Sequence, residues 1–263
     1  MSSCSTKGGI RTASTGTVIL LSAALVGASE TRSAAATRLL IQRGADPDLA
    51  ADSNAGLRPL HVAVRTAASQ TVGALLEAGA NPNATSKDGA TAVHHALGEL
   101  RNAFSHNDLD DPDGNARTAS AFVAAHLTAL SEYGADFNLR APGSDSPPIA
   151  LAASLSRCPD EVLDALLDGG ANPNGVEIVA EGAKVNLLAA CMFSDLSHST
   201  AARFVDAGVS WKESYRPFGD RPFVEVVPQF MPELALFLCE HSEAFRSGLV
   251  SHRPVSGSGD LRE

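Results

Sequence analysis

The chain has 263 residues, 44% hydrophobic and 19% charged, with 30 acidic against 20 basic side chains and a formal charge of −10. That composition is globular rather than disordered, and its acidic balance argues against general binding to nucleic-acid phosphates or anionic lipid. Aromatics are only 5% while alanine is abundant, so helices with small side chains are expected to approach closely in the core.

In chain order, residues 1–16 are rich in Ser, Thr and Gly and read as a loose start. Residues 17–28, TVILLSAALVGA, form the most hydrophobic run. Lys7 and Arg11 precede it and Gly27, Ala28 and Ser29 follow, which is also the layout of a secretory signal. Twelve residues fall short of the roughly 18 that a membrane span needs. The Leu20-Leu21-Ser22-Ala23-Ala24 pattern returns internally as Leu187-Leu188-Ala189-Ala190-Cys191. The run is therefore read as a first helix of the fold in a cytoplasmic protein. Export through an N-terminal signal is the alternative.

Next comes an apolar helical stretch at 38–41, closed by Arg43-Gly44-Ala45-Asp46-Pro47-Asp48. Pro59-Leu60-His61-Val62-Ala63-Val64 reads as a short helix with Pro in its first turn. A second helix follows over 72–76, then Ala78-Gly79-Ala80-Asn81-Pro82-Asn83 and a Lys87-Asp88-Gly89 turn. The stretch Thr91 to Ala96 opens another helix. The phrase returns as Tyr133-Gly134-Ala135-Asp136-Phe137-Asn138 and Gly169-Gly170-Ala171-Asn172-Pro173-Asn174, and in degenerate form as Ala207-Gly208-Val209-Ser210. The glycines fall 35, 55, 36 and 38 residues apart. Each sits where a helix end needs a left-handed residue, and in three copies a Pro then blocks continuation. The excess in the 55-residue interval is expected to be a loop over about 101–118, opposite the finger-like turns.

These residues resemble the ankyrin repeat, whose pattern is Asp-Gly-x-Thr-Pro-Leu-His-x-Ala, a second helix, and Leu-Leu-x-x-Gly-Ala-Asp-x-Asn. Arg58 departs from it in the Thr slot, and the third and fourth copies lack the His. The resemblance implies an all-α solenoid of about five helix-turn-helix repeats over 17–245, with hairpin-like fingers. A C-terminal helical cap is expected over 222–245, opened as a helix by Pro232, and a disordered tail over 246–263.

Chemical motifs are few. Asn107 to Gly114 is acidic, but in an EF-hand frame counted back from Gly114, position 1 is Leu109 and position 12 is Ser120, so no calcium loop results. A small-molecule or metal site on this loop is the alternative function. His61 and His94 fill the slot that ties neighbouring turns in the family pattern, and the adjacent His94 and His95 point about 100° apart on a helix. The four cysteines have no C-x-x-C spacing and read as reduced thiols. No P-loop, nucleophile elbow, zincin or dinucleotide motif occurs, so no enzyme, cofactor or metal is expected.

What the resemblance implies is a surface that binds another protein, presented by a chain that is a monomer on its own, with a dedicated inhibitor or immunity protein as the specific form. The pattern's variable first-helix positions are Arg65 and Thr66, Gly98 and Glu99, Ser154 and Leu155, and Met192 and Phe193. Along the fingers, Asp52, Asn54, Lys87 and Asp88 are the expected polar contacts.

Overall fold

The computed structural model describes residues 15–50, 56–105, 114–140, 146–155, 158–174, 176–180, 183–190, 198–209, 214–215, 221–222, 227–228, 231–243 and 245–247. Helices come in pairs: α1 (Thr15–Glu30) with α2 (Ala34–Gln42), α3 (Pro59–Arg65) with α4 (Ser69–Glu77), α5 (Ala92–Ser105) with α6 (Gly114–Glu132), and α7 (Pro148–Ala153) with α8 (Asp160–Asp168). After these come α9 (Leu187–Ala190), α10 (His198–Asp206) and α11 (Pro232–His241). The first helices pack in one row, α1 on α3, α5, α7 and α9 in turn. The second helices form a parallel row from α2 through α4, α6, α8 and α10 to α11. The result is a two-layer helical stack in which each pair buries its apolar face against its neighbours.

The expected helix stops are in place. Gly44, Gly79, Gly134, Gly170 and Gly208 all have φ between 80° and 93°, a left-handed conformation that a Cβ would strain. The next residue's N–H then reaches back five residues, as from Ala80 to the Leu75 carbonyl at 3.0 Å and from Ala171 to Leu166 at 2.9 Å. This closes the helix end that would otherwise leave carbonyls unpaired.

Beyond each glycine the two Asx positions divide the work. The first makes a local turn: the Asn83 N–H donates to Asn81 Oδ1 at 2.9 Å, and the Asn138 N–H to Asp136 Oδ1 at 2.8 Å. The second reaches the next finger. Asn83 accepts from the Asp136 N–H at 2.7 Å and donates to the Gly134 carbonyl at 3.0 Å. Asn138 does the same with the Asn172 N–H at 2.7 Å and the Gly170 carbonyl at 3.1 Å. Asp48, lacking an amide donor, takes the Asn81 N–H with both oxygens, at 3.0 and 3.2 Å. The fingers are therefore tied by a ladder of side-chain amides and one carboxylate.

The core runs between the two rows, through Leu25, Leu60, Leu75, Leu100, Leu127, Leu130, Ile149, Leu166 and Phe204. The first helix belongs to it. Leu25 is fully buried, and the Ser22 hydroxyl accepts the Asp46 N–H at 2.9 Å.

Several details depart from the sequence-based expectations. The interval of 101–118 is not a loop throughout: 101–105 complete α5 and 114–118 open α6, so the insertion lengthens both helices of one pair, to 14 and 19 residues against 7 and 9 in α3 and α4. Two short antiparallel hairpins interrupt the helices, β1 (Glu177–Ala180) with β2 (Ala183–Asn186), and β3 (Ser214–Tyr215) with β4 (Arg221–Pro222). Pro222 thus belongs to a strand, and Pro232 opens the terminal helix as expected. One contact between repeats was not foreseen. Phe137 takes the finger position that Pro occupies in the three other full copies and is buried. A Cβ on Gly169 would lie 2.2 Å from its ring, which explains why that copy reads Gly-Gly.

Candidate partner-binding surface

The first helices α3, α5 and α7 are buried along most of their bodies, and α3 and α5 open to solvent at their C-terminal ends. Arg65, the last residue of α3, is exposed. Its Nε meets Glu99 Oε1 on α5 at 3.4 Å, which sets these two expected positions side by side in adjacent repeats. An ion pair this accessible contributes less than about 1 kcal/mol, so the pair orients charge more than it holds the fold. Thr66 caps α3 and is half-buried. Its hydroxyl lies 3.1 Å from the Val62 carbonyl and 3.2 Å from that of Ser29 on α1, so its bonding is spent on the stack. Gly98 is half-buried and Ser154 exposed.

Leu155 corrects the sequence reading: it is buried and joins the core. The helix α7 ends at Ala153, and the Leu155 N–H closes the turn onto the Ala152 carbonyl at 3.1 Å. That turn folds the side chain under the helix instead of presenting it. Asp52, Asn54, Met192 and Phe193 lie outside the described residues, as do the acidic residues 107–113.

On the finger between α4 and α5, Lys87 and Asp88 are both exposed. The Lys87 stem lies over Gly56, where an added Cβ would meet its Cγ at 2.6 Å. Asp88 accepts a hydrogen bond from the Ser86 hydroxyl, and chiefly for that reason its carboxyl sits below the usual range. Ser86 in turn lies 3.2 Å from His95 Nε2.

The histidines are structural. His61 Nδ1 accepts from the Arg58 N–H at 3.1 Å and its Nε2 meets the Ala84 carbonyl of the next finger at 2.9 Å. His94 repeats the first half of this with Thr91. Burial lowers the pKa of both below that of free imidazole. His95, 5.0 Å from the His61 ring, and His126 are pushed down to about 4, in each case mainly by burial. All four are thus neutral near pH 7. Burial, aided by Asp160, pushes the Cys158 thiol up to about 12, and Cys158 and Cys239 are both free thiols. Among the described residues no three His, Cys, Asp or Glu side chains gather as a metal site.

A family model, Ankyrin repeat, matches residues 55–87, the segment from Gly56 through α3 and α4 to the exposed Lys87. Residues 55–87 are thus an ankyrin repeat. Comparison with curated proteins finds no match. Ankyrin repeats are in general protein-binding modules without catalytic activity. No described helix of the chain is long and apolar enough to cross a membrane.

Proposed function

We propose that this chain binds a partner protein through the face formed by its fingers and the ends of its first helices. The observation that carries the reading is the Arg65–Glu99 contact at 3.4 Å. It sets polar, accessible side chains of two repeats in one row, while the helix bodies behind them are buried. Lys87 and Asp88 extend the polar edge along the finger. Met192 and Phe193 are the apolar pair expected to anchor the far end, and Asp52 and Asn54 are further finger contacts. A few such anchors carry most of the energy of a protein interface.

The narrower reading is a dedicated inhibitor or immunity partner that acts as a monomer in the cytoplasm, where free thiols persist. A net charge of −10 suits a basic partner, which it would steer into encounter. The test is affinity isolation from the source cells with the wild-type chain, Met192→Glu, and Arg65→Glu/Lys87→Glu. A stoichiometric complex with wild type, lost in both variants while their helical spectra persist, supports the reading. A partner retained equally by all three chains sinks it.

A further inference from the structure

Asp48, Asn83, Asn138 and Asn174 hold the second Asx position of four fingers, and their side chains are not held alike. Asn83 and Asn138 each grip the next finger at two points, accepting from the Asp136 or Asn172 N–H and donating to the Gly134 or Gly170 carbonyl. Asn174 begins in the same way, its own N–H donating to Asn172 Oδ1 at 2.9 Å. Its amide also stands beside the next finger glycine, since a Cβ on Gly208 would lie 3.8 Å from Asn174 Nδ2. Among the described residues, however, that amide makes neither bond to the next repeat, and the residue is exposed. This rung of the ladder is the loose one.

The residues that follow sharpen the contrast. Asn83 precedes Ala84, which is buried, and Asn138 precedes Leu139, which is half-buried. Asn81 and Asn172 precede prolines, whose nitrogens carry no proton to give up. Asn174 precedes Gly175, and Asn-Gly occurs at no other place in the sequence. The carbon of an asparagine amide is open to attack by the backbone nitrogen of the next residue, through a five-membered ring. Glycine, with no Cβ, hinders that approach least. The attack also needs a side chain that can swing away from whatever holds it. Both conditions meet at Asn174 and fail at Asn83 and Asn138.

We propose that Asn174 is a site of spontaneous covalent modification, losing its amide to the backbone nitrogen of Gly175 while Asn83 and Asn138 are spared. The Gly175 nitrogen bonds to Asn174 Cγ, the Cγ–Nδ2 bond breaks, and Nδ2 leaves as ammonia with the proton from Gly175. Water then opens the resulting succinimide. Cleavage of the new N–Cγ bond gives aspartate, whereas cleavage of the bond to the main-chain carbonyl gives isoaspartate, whose backbone runs through the former side chain. Nothing is oxidised or reduced, and water is the sole co-reactant. The aspartate product has a precedent in Asp48, a carboxylate at the same finger position that takes the Asn81 N–H with both oxygens. Isoaspartate instead lengthens the finger backbone by a methylene group, beside Gly208. Either product adds a negative charge to a chain that already carries −10. The reaction is the chain's own, so the proposal does not depend on the partner-binding reading.

The test is to incubate the folded full chain in mildly alkaline buffer and follow the peptide spanning residue 174 by mass spectrometry, with the Asn83 and Asn138 peptides as internal references. Isoaspartate is scored with an isoaspartyl methyltransferase and labelled S-adenosylmethionine. Acid and isoaspartate should accumulate at 174 and not at 83 or 138. A loose amide needs no local opening before attack, so the folded chain should convert within about tenfold of the rate in urea. Gly175→Ala should slow conversion many-fold, and Asn174→Gln should stop it. Greater protection of residue 174 in the folded chain overturns the proposal, since the finger then holds the amide after all. So does conversion at Asn83 or Asn138 as fast as at Asn174. A Gly175→Ala rate equal to wild type overturns it too, because that marks direct hydrolysis in place of ring closure.

Discussion

Replacing Asn138 by Ala tests whether the amide ladder along the fingers contributes stability or only accompanies it. In the intact chain the side chain accepts the Asn172 N–H at 2.7 Å and donates to the Gly170 carbonyl at 3.1 Å. Each such bond contributes a net of about 0.5–1.5 kcal/mol. Both backbone groups lie at an exposed edge, so water replaces the lost partners and no buried polar atom is stranded. The expected cost is therefore about 1–2 kcal/mol, at the lower end for two bonds. Asn138→Asp should fall between Asn and Ala. A carboxylate can take the N–H with both oxygens, as Asp48 does with Asn81, but it has nothing to donate to the Gly170 carbonyl. Urea unfolding gives the global cost, and hydrogen exchange at the Asn172 amide gives the local one, which matters because repeat arrays open piecewise. An Ala variant with unchanged midpoint and unchanged Asn172 exchange would refute the ladder as a source of stability.

Gly169→Ala should cost about 1–3 kcal/mol, since its Cβ would overlap the Phe137 ring; in a Phe137→Ala background the same change should cost far less, and equal costs in the two backgrounds would break the link. His126 is buried, its Nε2 lies 3.0 Å from the Ser69 hydroxyl, and its Nδ1 has no hydrogen-bond partner among the described residues. Its folded pKa of about 4 lies below the unfolded value of 6.5, so its neutral form favours folding above pH 6.5 and that stability is lost as pH falls from 6.5 towards 4. The loss is about 3 kcal/mol at 1.36 kcal/mol per unit. His126→Gln should flatten the fall in stability between pH 7 and pH 4, and a variant with the wild-type pH slope would contradict the assignment.

What could be read from the sequence was the local chemistry. The left-handed glycines and the Asx positions act within a few residues of themselves, so their repetition at 35, 36 and 38 residues marks the stack directly. His61 was placed correctly because its partners are its own helix start and the next finger. The errors arose where the outcome depends on distant residues or on where a helix stops. Leu155 looked exposed because the template continues a first helix past Ala153, where α7 ends. The lengthened α5 and α6 were hidden by the Asn, Asp, Pro and Gly of 107–114, which read as loop chemistry and drew the boundary too wide. Phe137 and Gly169 lie 32 positions apart, and neither signals the other until the repeats are stacked.

The lengthened helix pair separates two properties that are usually coupled in a repeat array. Ser120 of α6 meets Glu161 in the first turn of α8, so the turns of α6 before Ser120 lie on the far side of this joint from the finger. The spacing of the array is set at the fingers, at the other end of these helices. Whole turns removed from or added to the end of this hairpin remote from the fingers would therefore leave every rung of the ladder in place. This makes it the place where the chain can change length, accept a fused peptide or carry a spectroscopic label while the rest of the stack keeps its register.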